Sequence, residues 1–149
     1  METIKTSEKN SLALINDKSP VLDFICKDLV ASGIKILFRS ENVDDGLIRL
    51  SALQEAPQVC IIDLNFNNEN MLAQLRVLKS KYPTIKLIVH NDKDDKQIVI
   101  PLLEIGIESY LLIGSDADDF KKAIENVTNG KRYFSMGVSK IVQNYFKHF

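Results

Sequence analysis

Short apolar runs recur about every 25 residues along this chain, and each is followed by a segment with helical spacing of its apolar positions. The runs are Ser11-Leu12-Ala13-Leu14-Ile15, Ile34 to Phe38, Val59-Cys60-Ile61-Ile62-Asp63-Leu64-Asn65, Ile85 to Val89 and Glu108 to Ile113. They do not alternate apolar with polar, so they read as strands buried on both faces, as in a parallel sheet. Ser19-Pro20 opens the first helix, with Ser as N-cap and Pro at the first helical position. Val21, Leu22, Ile25 and Leu29 form its inner face, and Ser32-Gly33 closes it. Asn42 and Asp45 form a capping pair for a helix through Leu53, with Val43, Leu47 and Leu50 inward. Pro57 is expected to break the chain before the third strand.

A third helix is expected from about Asn68 to Ser80, buried through Met71, Leu72, Leu75 and Leu78 and ended by Tyr82-Pro83. A fourth runs from about Asp95 to Ile105. Its Pro101 removes one helical hydrogen bond, which predicts a kink or a short helix, and Gly106 ends it. Ser115-Asp116-Ala117-Asp118 resembles a capping box for a fifth, with Phe120, Ala123, Ile124 and Val127 inward and Asn129-Gly130 as its stop.

Strands alternating with helices imply a parallel sheet covered on both faces, and right-handed crossovers leave few topologies. The expected fold is therefore α/β, a doubly wound, flavodoxin-like sheet of five parallel strands in the order 2-1-3-4-5, plus a C-terminal extra helix. Residues 11–135 form the domain, and residues 136–149 a C-terminal helix or linker. That helix, from about Gly137 to Phe149, carries Val138, Ile141, Val142, Tyr145, Phe146 and Phe149 as one apolar stripe. The stripe must find a partner surface. A homodimer through this helix is the expectation, with docking on its own domain as the alternative.

Composition narrows the function. The chain has 149 residues, 45% hydrophobic and 26% charged, with a net charge of −1, so nothing pulls it globally toward nucleic acid or membrane. Residues 121–149 are locally basic, with Lys121, Lys122, Lys131, Arg132, Lys140 and Lys147 against Glu125 alone. This reads as a solvated face, too thin for direct nucleic-acid contact. Cys26 and Cys60 sit among apolar neighbours and read as buried thiols in a reducing cytoplasm. No apolar run reaches the ~18 residues of a membrane span, and residues 1–10 do not form a signal peptide.

The chemistry gathers at the carboxyl ends of the strands, where open α/β sheets bind ligands. Asp63 leaves the third strand there. On that stretch alone, a helix-capping or turn aspartate fits equally well. In the expected topology the first and third strands are neighbours, so Asp17 and Asp63 converge in one crevice. Two carboxylates make a hard oxygen site suited to Mg²⁺. No glycine-rich loop precedes the first helix, which excludes a dinucleotide or Walker-type phosphate site. No nucleophilic triad presents itself, and His90 at the fourth strand's end is read as structural.

Between Ser11 and Ser135 the chain resembles the receiver domain of bacterial two-component response regulators. The residues carrying the resemblance are Leu14-Ile15-Asn16-Asp17, Ile61-Ile62-Asp63-Leu64-Asn65, Leu87-Ile88-Val89 and Gly106-Ile107-Glu108-Ser109-Tyr110-Leu111-Leu112. Gly130-Lys131-Arg132-Tyr133-Phe134-Ser135 looks most like the LuxR/NarL subgroup, in which a DNA-binding helix-turn-helix domain normally follows. Phe149 falls inside what would be the linker. The resemblance implies that Asp63 is the phosphoacceptor and that Asp63, Asp17 and the backbone carbonyl of Asn65 ligate the metal. Asn16 occupies the place of a second acid and weakens the site. Asn91 stands where the family has a switch Thr or Ser, Tyr110 matches its aromatic switch residue, and Ile113 stands where it has a Lys. Lys93 is close in sequence but is not expected to substitute.

A transferring phosphoryl group needs its charge neutralised. Ile113 cannot do this, and Asn16 brings no charge to Mg²⁺. The expected protein is thus a divergent receiver domain of two-component signalling, not a metabolic enzyme. It acts through contacts with a histidine kinase or another signalling protein, with phosphorylation at Asp63 weak or lost. An ordinary phosphorylatable receiver, and the receiver portion of a truncated DNA-binding LuxR-type regulator, are the alternatives.

Overall fold

A computed structural model describes residues 7–15, 20–64 and 70–147. The central strand is β3 (Ala56–Asp63). Val59 and Ile61 point into one apolar layer, Cys60 and Ile62 into the other, and all four are buried. Such a strand cannot lie at a surface, and it sits between β1 (Ser7–Ile15) and β4 (Lys86–Asn91). Beyond these lie β2 (Lys35–Ser40) on one side and β5 (Ser109–Leu112) on the other.

The α/β doubly wound sheet is as expected, but it has six strands rather than five. After the fifth helix the chain returns beside β5 as β6 (Tyr133–Phe134), giving the order β2-β1-β3-β4-β5-β6 with every pair parallel. Ser109 pairs with Tyr133 and Tyr110 with Phe134. A two-residue strand has no periodicity to read, so only its hydrogen bonds to β5 reveal it.

Helices α1 (Pro20–Ala31) and α5 (Ala117–Thr128) cover one face of the sheet. The other face is covered by α2 (Val43–Ala52), α3 (Met71–Lys81), α4 (Lys96–Ile105) and α6 (Met136–Lys147). The expected cap of α2 is present, with the Asp45 N–H donating to the Asn42 side chain over 2.8 Å. The box at α5 is one residue later than expected. Asp116 and Asp119 each accept the other's backbone N–H. Helix α4 keeps its ten residues despite Pro101, and Gly106 closes it at φ 102°. The expected N-cap Ser19 and the start of the third helix at Asn68 lie outside the described residues.

Pro57 does not break the chain before β3; it lies inside the strand. Its partner strand explains why. β1 shifts register between Glu8 and Leu12, and Asn10 has φ 55°. There the Asn10 N–H donates to the Gln58 side chain over 2.8 Å, and the Gln58 N–H to Ser11 Oγ over 3.2 Å. Side chains replace the ladder bonds at the bulge, so a residue without an N–H fits opposite Glu8.

The apolar stripe of α6 is partly covered within the chain. Val138 and Val142 are buried, and Ile141, Tyr145 and Phe146 pack on the same cluster as α4. A Cβ on Gly137 would meet Leu112 Cδ1 at 2.5 Å, so the first turn of α6 lies directly on β5. Arg132 stacks over Phe146 at 4.2 Å. Phe149 lies outside the described residues. Both cysteines are buried, and burial pushes the Cys60 thiol up. No helix among the described residues is long and apolar enough to cross a membrane.

Candidate functional site

The carboxyl edge of the sheet carries two groups of polar residues. Asp63 ends β3, and the parallel register sets His90 beside it on β4. Alternation along each strand sends Asp63 after Ile61 and His90 after Ile88, toward α1 and α5. Both are buried, 2% and 3% exposed. His90 Nδ1 lies 3.9 Å from Asp63 Oδ2, and the imidazole ring meets Phe120 of α5 at 5.4 Å between centroids. Leu64 continues the ladder past Asp63, its N–H donating to the His90 carbonyl over 2.8 Å.

Asn91 is the next residue and faces the other way, toward α4. Its Nδ2 donates to the Tyr110 hydroxyl over 3.1 Å, and its Oδ1 accepts the Asp92 N–H over 2.9 Å. The Tyr110 hydroxyl in turn donates to the Lys93 carbonyl. Tyr110 is wholly buried, and this burial pushes its phenol up to about 12, with the acidic loop Asp92, Asp94 and Asp95 acting in the same direction. Ile113 follows β5. Its N–H donates to the Asn91 carbonyl over 2.9 Å, while its side chain is 45% exposed.

The structure thus brings together Asn91 and Tyr110, the residues expected to act as a switch, and places Ile113 at the same edge. Asn16, Asp17 and Asn65, expected around the metal, lie outside the described residues. Among the described residues no three His, Cys, Asp or Glu side chains come together as a metal cage. The side chain of Lys93 is exposed, and only its carbonyl takes part in the site. Sequence reasoning put His90 near the crevice but read it as structural and gave it no contact with Asp63. The available signal was that both residues end adjacent buried strands, and it depended on knowing the register.

No established protein-family profile matches the chain. Individual proteins do. The transcriptional regulatory protein DegU of Brevibacillus brevis is 31% identical over 93 residues, covering 62% of this chain and 38% of DegU. The nitrate/nitrite response regulator NarL of Escherichia coli K12 is 23% identical over 139 residues, covering 92% of this chain and 63% of NarL. The isolated receiver domain of RcsB from Salmonella enterica serovar Typhimurium, in its apo form, superposes with a TM-score of 0.75 at 22% identity over 89% of this chain and 98% of that one. The same domain with the phosphomimetic BeF₃⁻ gives 0.73 at 20% identity, covering 88% and 96%.

The chain is similar in sequence to response regulators of the NarL and DegU type, and its fold is that of the RcsB receiver domain. It spans 38% of DegU and 63% of NarL.

Proposed function

We propose that this chain is a divergent receiver domain that signals through protein contacts, with phosphoryl transfer to Asp63 weak or lost. The observation that carries this reading is the commitment of Asn91. Phosphate-driven switching needs a contact that differs between two states. Here the side chain at the switch position already gives its amide N–H to Tyr110 and its carbonyl oxygen to Asp92, and Tyr110 is already buried. Ile113 supports the same reading, because an aliphatic side chain cannot neutralise phosphoryl oxygens.

Asp63 is the acceptor in this reading. It would hold Mg²⁺ with Asp17, the Asn65 carbonyl and Asn16, and the amide of Asn16 makes the binding weak. The ion, when bound, supplies positive charge to the phosphoryl oxygens. The upstream partner is a histidine kinase or another signalling protein. A second reading has this chain as the receiver portion of a DNA-binding transcriptional regulator. It is favoured by the partial coverage of relatives, one of which is named a transcriptional regulatory protein.

Incubation with acetyl phosphate and Mg²⁺, followed by intact-mass measurement, tests the proposal. The expected result is little or no gain of a phosphoryl group. Stoichiometric gain, abolished in Asp63→Asn, would make this an ordinary phosphorylatable receiver.

A further inference from the structure

One buried polar atom at this edge lacks a partner. His90 Nδ1 makes no hydrogen bond among the described residues, although the side chain is 4% exposed and sits between β3, β4 and α5. A ring nitrogen taken out of water without a partner is unfavourable, so a group in this position calls for a functional reason. The polar atom facing it is Asp63 Oδ2 at 3.9 Å. That gap is beyond hydrogen-bonding distance, so the bond forms only if one of the two side chains moves. Phe120 backs the ring on the α5 side, at 5.4 Å between centroids, and so limits where the ring can move.

We propose that His90 is the positioning residue of Asp63. Its Nδ1–H closes on Oδ2 and holds that oxygen, so that Oδ1 is the atom presented to a phosphoryl donor. In the transfer step, Asp63 Oδ1 forms a new bond to phosphorus. The bond from phosphorus to the donor's leaving atom, an oxygen in acetyl phosphate or an imidazole nitrogen in phosphohistidine, breaks, and that atom leaves with the electron pair. His90 moves no proton in this step. It fixes the carboxylate and places a donor beside negative charge in a site where Ile113 offers none. Whatever transfer remains at Asp63 then depends on His90. This inference rests on Asp63 being the acceptor, but the contact itself can be read without any transfer.

The experiment has two arms, both on the full chain. Long-range ¹H–¹⁵N NMR of the imidazole reads which ring nitrogen carries the proton, in the wild type and in Asp63→Asn. The expected result is an Nδ1–H tautomer in the wild type that changes in Asp63→Asn. The same tautomer in both would overturn the proposal. The second arm measures binding of beryllofluoride with Mg²⁺ to the wild type, His90→Asn and His90→Phe. His90→Asn keeps an N–H donor near the Nδ1 position and should bind within about threefold of the wild type. His90→Phe should bind about tenfold more weakly, as expected for one lost charge-assisted hydrogen bond. Equal binding by all three would overturn the proposal. A wild type that binds no beryllofluoride would count against Asp63 as acceptor, while the tautomer arm still decides the role of His90. That arm also stands if His90→Phe does not fold.

Discussion

The side-chain amide of Asn91 donates to the hydroxyl of Tyr110 over 3.1 Å, and this hydroxyl donates to the carbonyl of Lys93. The two bonds tie the end of β4, the loop after it and the middle of β5 into one unit. Tyr110 also pairs with Phe134 of β6, and its carbonyl accepts the Ser135 N–H over 3.0 Å. Helix α6 begins at the next residue. A change at Tyr110 therefore has a short covalent and hydrogen-bonded route to α6.

Tyr110→Phe removes the hydroxyl and leaves both the Asn91 amide and the Lys93 carbonyl without their partner. Leaving buried polar groups unpaired costs about 1–3 kcal/mol. Urea denaturation should show a loss in that range with an unchanged m-value, and no loss would mean that the bonds add nothing in solution.

The same tyrosine sets a pH dependence. Its phenol is raised to about 12 in the folded chain, above the ordinary value of about 10. The neutral form is favoured on folding, so this stabilisation is complete below pH ~10 and is lost as the pH rises toward 12. An ultraviolet difference titration of the wild type against Tyr110→Phe should isolate one ionisation near 12. An ordinary phenol value would contradict the buried placement.

The proposed reading predicts that the missing chemistry can be supplied in steps. Asn91→Thr with Ile113→Lys restores a hydroxyl and a cation, and Asn16→Asp restores a charge for Mg²⁺. The triple variant should gain a phosphoryl group from acetyl phosphate at least about tenfold faster than the wild type, a modest share of what charge neutralisation can supply. Titration should show tighter Mg²⁺ binding in Asn16→Asp. Equal affinity would remove Asn16 from the argument.

Gly46 tests the packing of α2 on β1. A Cβ there would stand 2.6 Å from Ile15 Cδ1 and 2.9 Å from its Cγ1, and Ile15 is fully buried. Alanine would gain about 1 kcal/mol in helix propensity, against an overpacking cost of about 1–3 kcal/mol. The overpacking is expected to win, so thermal denaturation of Gly46→Ala should give a lower Tm than the wild type.

Removing α6 should expose the apolar surface under Val138 and Val142. A chain ending at Ser135 is expected to be less stable and to self-associate in sedimentation, and sedimentation of the full chain tests whether the partly buried remainder of the stripe, Ile141, Tyr145 and Phe146, also serves as a subunit interface. A dimer of the full chain that α6 truncation abolishes would restore the helix as a subunit interface.

The sequence by itself determined the α/β alternation, the parallel sheet and the placement of Asp63, because these depend on apolar runs and caps within a few residues of one another. Val59 to Ile62 reads as a strand buried on both faces, and Asn42 as the cap of the helix that it precedes. Tertiary structure decided what depends on register. β6 exists through its bonds to β5, Pro57 enters β3 through a bulge in β1, and Val138 and Val142 of the α6 stripe are buried in the chain's own core. The carboxylate of Glu108 is engaged by Lys79 and by the Leu87 N–H, a contact between α3 and the β5 edge with no local signal. His90 and Asp63 are 27 positions apart and meet only because β3 and β4 align them as neighbours. Spacing along a chain fixes which face a side chain takes. Which residue it meets there is set by the strand beside it.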